Sequence, residues 1–438
     1  MTRRRVAAIL SAGLGFVATL TPGCAPGMQG ASAAAAAQPE IAGADRVVVT
    51  LQGDARRDPD DFLNDMQALH GLQASAQFRL RSLGLVCAVL GIPEGADTEA
   101  ALSRLASDPR VSSAQRVHTF RTRAEEDPDQ PETETQEDSP ALPPANALPR
   151  AEADRYQHLQ KGYNIVRAEL AHHWATGKGV RVALVDTPIA VDHPDLKGQV
   201  AQQRLFVPPP ADTWAVRHGT AMAGIIAARR NGVGIAGVAP AARLLALGAC
   251  RPAQPGTAAA QCDTVALAKA LDAAIQQNAD VIVVSLDGPA DPLLARLVDA
   301  AIANGSVVVA ASNWRDPVDA GLASLPGVLA AQEPAPGGSI VPPRDPDKAP
   351  LGSPGIGILT TVPPGTWDYL KGDSLSAAHV AGVVALIKER APKISPAEIG
   401  LLLRSTAQPQ VGLAPEMGTG YIDACSAIAH LAGATCPQ

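Results

Sequence analysis

The sequence predicts an α/β fold: a mostly parallel sheet with helices on both faces, preceded by a small ferredoxin-like α+β domain. Four short apolar runs lack the polar alternation of half-exposed strands, which is typical of parallel strands buried on both faces. They are residues 181–185, 243–248, 281–286 and 306–311. Three helical patterns fall between them, at 218–229, 264–277 and 291–303. Strands that alternate with helices in this way indicate a sheet crossed by covering helices.

The smaller domain is predicted for residues 45–120. Phe62, Met66 and Leu69 are spaced for one face of a helix over 59–69. The other elements are strands at 46–51, 76–83, 85–92 and 111–120 and a helix at 98–105. Their β-α-β-β-α-β order is a ferredoxin-like pattern.

Four segments follow from these patterns: an export signal at 1–37, the small domain at 45–120, a linker at 121–153 and the large α/β domain at 154–438. The linker is predicted to be disordered, since residues 125–138 carry eight acids and no base, and a Pro- and Ala-rich run follows. Arg121, Arg123 and Arg150 are candidate processing sites, because proteolysis concentrates in such segments.

The first 37 residues have the layout of an export signal. Arg3, Arg4 and Arg5 precede an apolar stretch at 6–20, which is too short to span a bilayer comfortably. Cleavage before Cys24 would give a lipoprotein attached to the membrane through lipidated Cys24, whereas cleavage within 31–38 would give a soluble secreted protein. Both alternatives predict an exported protein, in the periplasm, the cell envelope or the medium.

Composition excludes some functions. Apolar residues make up 46% of the chain and aromatic residues only 3%, so the core must be built from Ala, Val, Leu and Ile. A net charge of −7 gives no electrostatic support for nucleic-acid binding. Cys87 is expected to be a small buried apolar residue. Four cysteines in the large domain suit disulfides in an exported chain, and pairing near neighbours is the simplest of three connectivities. They are Cys250, Cys262, Cys425 and Cys436.

Three side chains in separate segments form a candidate catalytic set. Asp186 ends the first buried strand, His218 opens a helix of small residues, and Ser374 opens a long helix that runs to about Arg390. A serine hydroxyl is a weak nucleophile until a base takes its proton, and an imidazole base needs a carboxylate to hold its tautomer. The positive end of a helix also stabilises an anion that forms beside it. Further helices are expected at 396–406 and 422–432.

The motifs around these residues resemble those of the subtilisin-like serine proteases. The segments are Asp186-Thr187, His218-Gly219-Thr220, NGVGIAGVAP at 231–240, VVVAASN at 307–313 and GDSLSAAHVAG at 372–382. The chain order Asp, His, Ser is the subtilisin order. The resemblance implies an orienting carboxylate at Asp186, a general base at His218, a nucleophile at Ser374 and an oxyanion-hole amide at Asn313.

The resemblance also implies how substrate is bound. One wall of the substrate cleft would be a strand made of Ser285, Leu286, Asp287 and Gly288. No cofactor is required, and no Cys/His spacing indicates zinc. Calcium is a weaker candidate, at Asp195 and Asn231, where some subtilisins bind it.

The implied function is a secreted or envelope-anchored serine endopeptidase that cleaves polypeptides through an acyl-enzyme. The domain at 45–120 is similar in order and position to the inhibitory propeptides of the family, so a self-inhibited precursor is expected; an unrelated accessory domain is the alternative.

Several residues depart from the family pattern. They are Pro188, Asp287 and Ser312 where Gly is usual, Asp373 for Thr, Leu375 for Met and Ala378 for Pro. Four of them, Asp287, Ser312, Asp373 and Ala378, support a second hypothesis, a catalytically poor subtilase-fold protein that binds peptides or processes only itself.

Overall fold

The computed structural model of the protein describes residues 45–122, 154–254, 257, 259–312, 321–334, 349–408 and 420–437. The chain divides after Ala37, and all the described residues belong to the second unit, Gln38–Gln438. The predicted export signal with Cys24, nearly all of the predicted linker, and Asn313 lie outside the described residues.

The small domain has the ferredoxin-like arrangement that its sequence predicts. Its strands are β1 (Arg46–Leu51), β2 (Gln73–Leu80), β3 (Leu85–Gly91) and β4 (Val111–Arg116), and its helices are α1 (Pro59–His70) and α2 (Thr98–Ala106). The strands form an antiparallel sheet in the order β2-β3-β1-β4. Val47 and Val49 of β1 pack with α1 and α2, while Val48 between them faces the large domain. Strand β1 is therefore buried on both faces.

Two predictions for this domain need correction. Leu69 does not join Phe62 and Met66 in the core, since 68% of its surface is exposed at the last turn of α1. The strand predicted at 111–120 is not continuous: it ends at Arg116, and Thr119–Arg121 forms β5 in another sheet. Arg121 therefore lies in a strand rather than in the predicted linker.

The large domain contains a parallel sheet and several smaller elements. Its strands are β6 (Arg181–Asp186), β7 (Val200–Leu205), β8 (Arg243–Gly248), β9 (Cys250–Pro252), β10 (Ala260–Asp263), β11 (Val281–Val284), β12 (Val307–Ala311), β13 (Leu329–Gln332), β14 (Leu351–Gly352), β15 (Ile358–Val362) and β16 (Thr366–Leu370). Its helices are α3 (Lys161–Ile165), α4 (Ala168–Ala171), α5 (Arg217–Ala227), α6 (Thr264–Gln276), α7 (Pro292–Ala303), α8 (Asp373–Arg390), α9 (Pro396–Ser405) and α10 (Ala424–Leu431).

Seven of these strands form the central sheet in the order β14-β13-β12-β11-β6-β8-β7, and all their pairings are parallel. Alternate residues of each central strand enter different cores. In β11, Val281 and Val283 pack with α5 and α8, while Ile282 and Val284 pack with α6 and α7. The prediction of a parallel sheet with helices on both faces is confirmed.

The predicted disulfides, Cys250–Cys262 and Cys425–Cys436, are both formed. Cys87 is buried and free, as expected, and burial raises the pKa of its thiol to about 12. Across the described ranges, no helix is long and apolar enough to cross a membrane.

Candidate active site

Asp186 and His218 meet at the carboxyl end of the central sheet. Asp186 is the last residue of β6, and its carboxylate is fully buried. His218 Nδ1 lies 2.7 Å from Asp186 Oδ1, which also accepts the backbone N–H of Thr187 at 2.6 Å. A buried carboxylate in this position fixes the proton on Nδ1, which leaves the other ring nitrogen as the base.

Gly219, the residue after His218, explains how the imidazole ring comes so close to Asp186. A Cβ atom at Gly219 would lie 2.4 Å from the carbonyl oxygen of Thr187, so only glycine permits this approach of α5 to the end of β6. Gly219 N–H donates to Thr187 Oγ1 at 2.8 Å and joins the two segments directly. The His-Gly-Thr motif therefore has a packing reason beside its histidine.

Buried threonines of β15 fix the other side of α5. Thr360 Oγ1 donates to the carbonyl of Ala221 at 2.6 Å, and Thr361 Oγ1 donates to that of Thr220 at 2.7 Å. Both threonines are fully buried. The helix that carries His218 is thus held by hydrogen bonds as well as by apolar packing.

Ser374 is the second residue of α8, which packs against α5. The serine is 5% exposed, and its Oγ lies 3.5 Å from the carbonyl oxygen of Ser285. Its position in the first turn places it beside backbone N–H groups that the helix leaves unpaired. The chain thus brings its nucleophile candidate next to the predicted cleft strand.

That cleft strand is occupied by the chain itself. Asp287 exchanges two backbone hydrogen bonds with Arg121, each of 2.9 Å, as in an antiparallel ladder. On the opposite side, Thr122 N–H donates to the carbonyl of Ala260 at 2.9 Å, and Arg121 lies opposite Gln261 of β10. Residues 119–122 therefore lie as a middle strand between β10 and residues 285–288.

A side chain anchors this segment. Phe120 is 1% exposed, and a Cβ atom added to Gly288 would lie 2.3 Å from its ring. Glycine at 288 therefore makes room for the aromatic ring. Phe120 packs in the same core cluster as Cys250 and Cys262.

The small domain rests on α6 and α7 through apolar and polar contacts. Its sheet contributes Val48, Phe78 and Leu80 to the core beneath these helices. Polar contacts reach the N-terminal cap residue of each helix: Arg46 pairs with Asp263 at 2.8 Å, and His118 Nδ1 lies 3.1 Å from buried Asp291. A further pair of hydrogen bonds joins Ser82 to Asp272, at 2.8 and 2.6 Å.

The departures from the family pattern fit without displacing the candidate catalytic groups. Asp373 Oδ1 accepts the backbone N–H of Glu333 at 3.0 Å. Ser312 is buried, and its N–H donates to the carbonyl of Ala331 at 2.9 Å. Ala378 is fully buried within α8.

The two predicted calcium ligands are adjacent. Asn231 Nδ2 donates to Asp195 Oδ1 at 3.2 Å, and the other Asp195 oxygen accepts N–H groups from Ile235 and Trp367. Burial raises the pKa of Asp195 to about 6. Asp154 Oδ1 accepts the backbone N–H of Asn231 at 2.8 Å.

Two buried oxygens near this cluster lack hydrogen-bond donors among the described residues: Asp154 Oδ2 and Gln157 Oε1. Unpartnered oxygens of this kind suit a hard cation such as calcium. In the described ranges no three His, Cys, Asp or Glu side chains form a metal-holding group, so amide oxygens would have to complete the set.

Sequence reasoning missed the hairpin β9–β10 and the role of Phe120. Cys250 and Cys262 flank a Pro- and Gly-containing stretch, which is a hairpin signal once the two cysteines are paired. Nothing in the sequence indicated that residues 119–122 would leave the small sheet and pair with this hairpin.

Comparison with known proteins agrees with the geometry. The model of the subtilase family matches residues 177–324 and 334–421, together more than half of the chain. Subtilisin E of Bacillus subtilis is 33% identical over 264 residues, which cover 57% of this chain and 66% of that protein. M-protease of Shouchella clausii is 33% identical over 277 residues, which cover 61% and 69%.

Solved structures extend the likeness to the fold. Fervidolysin from Fervidobacterium pennivorans, described as a keratinolytic enzyme related to subtilisin, superposes with a TM-score of 0.65 at 22% identity. That match covers 92% of this chain and 63% of fervidolysin. The sequence matches to subtilisin E and to subtilisin NAT each reach 66% of the relative's length. From the matched family model and relatives one third identical, we conclude that the chain belongs to the subtilase family.

Proposed function

We propose that this protein is a serine endopeptidase that cleaves polypeptides through an acyl-enzyme. The observation that carries the proposal is the 2.7 Å contact between His218 Nδ1 and buried Asp186, with Ser374 on the neighbouring helix α8. Family membership supports the same activity.

In this proposal, each group of the site has one role. His218 takes the proton of Ser374 as the serine attacks a peptide carbonyl, and then gives it to the leaving amine. Asp186 holds the tautomer and stabilises the imidazolium. Backbone N–H groups at the start of α8 and the side chain of Asn313, which lies outside the described residues, stabilise the oxyanion.

We further propose that the small domain is an intramolecular inhibitor. Residues 119–122 fill the cleft between β10 and residues 285–288, where an extended substrate would add a strand. The contacts of Arg46, Ser82 and His118 with α6 and α7 hold the domain over the site. A substrate cannot enter until this strand leaves.

The pairing register supports one processing bond above the others. Hydrogen-bonded pairs recur every second residue in an antiparallel ladder, so in a peptide bound with the Arg121–Asp287 register the residue two positions later would pair with Ser285. The carbonyl oxygen of Ser285 lies 3.5 Å from Ser374 Oγ. We therefore propose that Ser374 attacks the bond between Arg123 and Ala124. Favoured substrates would carry a basic residue before the cut and an aromatic residue three positions earlier, as Phe120 does.

Processing tests this proposal directly. Expressed wild-type chain should yield a fragment whose N-terminal sequence begins at Ala124, while the Ser374→Ala variant keeps its small domain. Removal of triad members costs on the order of 10⁴–10⁶ in turnover in subtilisin, so the variant should also fail to cleave added peptides. Cleavage of both proteins at the same bond would show that a host protease does the processing.

Export is part of the proposal. Two disulfides suit an oxidising compartment outside the cytosol. Attachment through lipidated Cys24 and soluble secretion remain the two hypotheses, and the mass of the mature N-terminus would distinguish them.

Calcium would have a structural role only. Asp154 and Gln157, each with a buried oxygen that lacks a donor among the described residues, would hold the ion, and its charge would offset the repulsion between Asp154 and Asp195. The predicted ligands Asp195 and Asn231 already use their oxygens as hydrogen-bond acceptors. Calcium should then raise the melting temperature of the Ser374→Ala protein, and Asp154→Asn should remove that increase. An equal increase with magnesium, or none with calcium, would contradict the site.

A further inference from the structure

We infer that the Cys250–Cys262 disulfide is a positioning element for peptide binding, which holds β10 ready to pair with an incoming strand. The inference rests on the proposed function, because it assumes that substrates bind where residues 119–122 now lie. It assigns a role to a feature that the candidate catalytic groups do not use.

The position of the disulfide is the first argument. Cys250 and Cys262 face each other across the β9–β10 hairpin with their Cα atoms 4.3 Å apart. On its other edge, Cys262 lies opposite Phe120, the aromatic anchor of the bound segment. One residue of β10 is therefore cross-linked on one side and receives the peptide on the other.

Strands β9 and β10 also have little hydrogen-bonded support from other strands. Among the described strands, they pair only with each other and with β5, separately from the central sheet. When the β5 segment leaves, a two-stranded hairpin remains, and such hairpins are marginally stable in water. The disulfide holds β9 and β10 together after the β5 segment has left.

The β9–β10 hairpin begins beside the candidate catalytic groups. Ala249, the residue before Cys250, donates its N–H to the backbone carbonyl of Asp186 at 2.8 Å. After Asp263, the chain enters α6 directly, with Asp263 as the cap. Both ends of the hairpin are fixed, so the disulfide limits how far β10 can still move between them. Reduced freedom before binding strengthens binding without adding any contact.

The second disulfide supplies a matched control. Cys425 lies in α10, which packs on α4 and α8, and Cys436 lies near the C-terminus. The two disulfides close loops of nearly equal length, with sequence separations of 12 and 11 residues. Loss of either should therefore have a similar effect on the entropy of the unfolded chain.

The experiment compares Cys250→Ser/Cys262→Ser with Cys425→Ser/Cys436→Ser in the full chain carrying Ser374→Ala, which cannot process itself. Hydrogen exchange of peptides covering residues 119–122 and 260–263 is measured by mass spectrometry. We expect exchange there to be about tenfold faster in the first variant and little changed in the second, as for a local loss of protection. Equal exchange in both variants would overturn the inference.

An activity readout separates this inference from the proposed function. In processed enzyme with Ser374 intact, the first variant should show about a tenfold higher KM for long peptides, with kcat within about twofold, because binding and not chemistry is affected. Active enzyme with an unchanged KM would refute the positioning role and leave the protease intact. If the double variant does not fold, the Cys425→Ser/Cys436→Ser protein, in which Cys250–Cys262 is the remaining disulfide, is compared before and after reduction with a phosphine, and its free thiols are counted.

Discussion

The catalytic half of the site and its peptide-binding half are built in different ways. In the proposed catalytic half, Asp186 is fully buried at the end of β6, and His218 is held against it by α5. The proposed peptide-binding half is bordered by β10 and residues 285–288, and residues 119–121 now pair with both of them. The difference teaches how the proposed function could work. The candidate catalytic groups are held by burial and packing, whereas the proposed cleft is filled through backbone pairing, which a competing strand could replace.

The largest effect should come from the buried half. Asp186→Asn keeps the shape of the side chain but favours the wrong imidazole tautomer, so kcat should fall by about 10⁴, as in the equivalent change of another serine protease. Peptide hydrolysis measures it after the variant chain has been cut in trans by tagged wild-type enzyme, which is then removed, because the variant would not process itself. A loss below about tenfold would mean that Asp186 does not orient the base and that the two halves differ less than we propose.

The protein should also lose stability in acid, because a histidine is buried in α8, the helix that includes Ser374. Burial lowers the pKa of His379 to about 4, and its Nδ1 lies 2.8 Å from the carbonyl of Leu375 one turn earlier in α8. The unfolded chain takes up this proton near pH 6.5 and the folded chain only near pH 4. Stability is therefore unaffected above pH 6.5 and is lost as the pH falls towards 4, by up to about 3 kcal/mol from this residue.

Denaturant unfolding of the Ser374→Ala protein with and without His379→Gln measures this loss. The difference in the free energy of unfolding between the two proteins should narrow or reverse between pH 7 and pH 4.5, because the variant lacks the histidine whose pKa is lowered by folding. Parallel curves over this range would show that His379 does not titrate on unfolding.

The peptide-binding half can be broken without touching the catalytic groups. Arg121→Pro removes the N–H that donates to Asp287. We expect processing at Ala124 to be slower by about tenfold or more, because one hydrogen bond of the ladder is lost and the proline ring does not fit a middle strand. Arg121→Ala keeps the N–H and is the control. The appearance of the fragment over time is measured on gels, and equal rates for both variants would place recognition in side chains instead of backbone pairing.

The smallest effect concerns charge in the cleft. The side chain of Asp287 is half-buried where the family usually has glycine. Asp287→Gly should lower kcat/KM for basic peptides relative to acidic ones by only a few-fold, since a partly exposed ion pair contributes about 0.2–1 kcal/mol. The bias should shrink at high salt. An unchanged ranking of charged peptides would place the carboxylate outside the binding path.

Sequence patterns predicted the buried half better than the cleft. The strand ending at Asp186 and the helices opening at His218 and Ser374 follow from local apolar periodicity, which burial in a parallel sheet reinforces. The meeting of Phe120 with Gly288 depends on chain segments far apart in sequence. Residues 111–120 continue one strand pattern, and only tertiary pairing divides them between two sheets.

The same contrast explains Leu69. Its spacing fits the apolar face of α1, but it lies in the last turn of the helix, where its side chain is largely exposed. Helical period alone does not show where the opposing surface ends.

The central claim is that Ser374 is a nucleophile activated by His218. A fluorophosphonate probe followed by peptide mapping tests it most directly. Because the His218→Ala chain would not process itself, both this chain and the wild-type chain are first cut in trans by tagged wild-type enzyme, which is then removed. We predict one adduct per chain, on Ser374, and labelling slowed by orders of magnitude in His218→Ala. An adduct on another serine, no adduct at all, or equal labelling of the His218→Ala protein would contradict the claim.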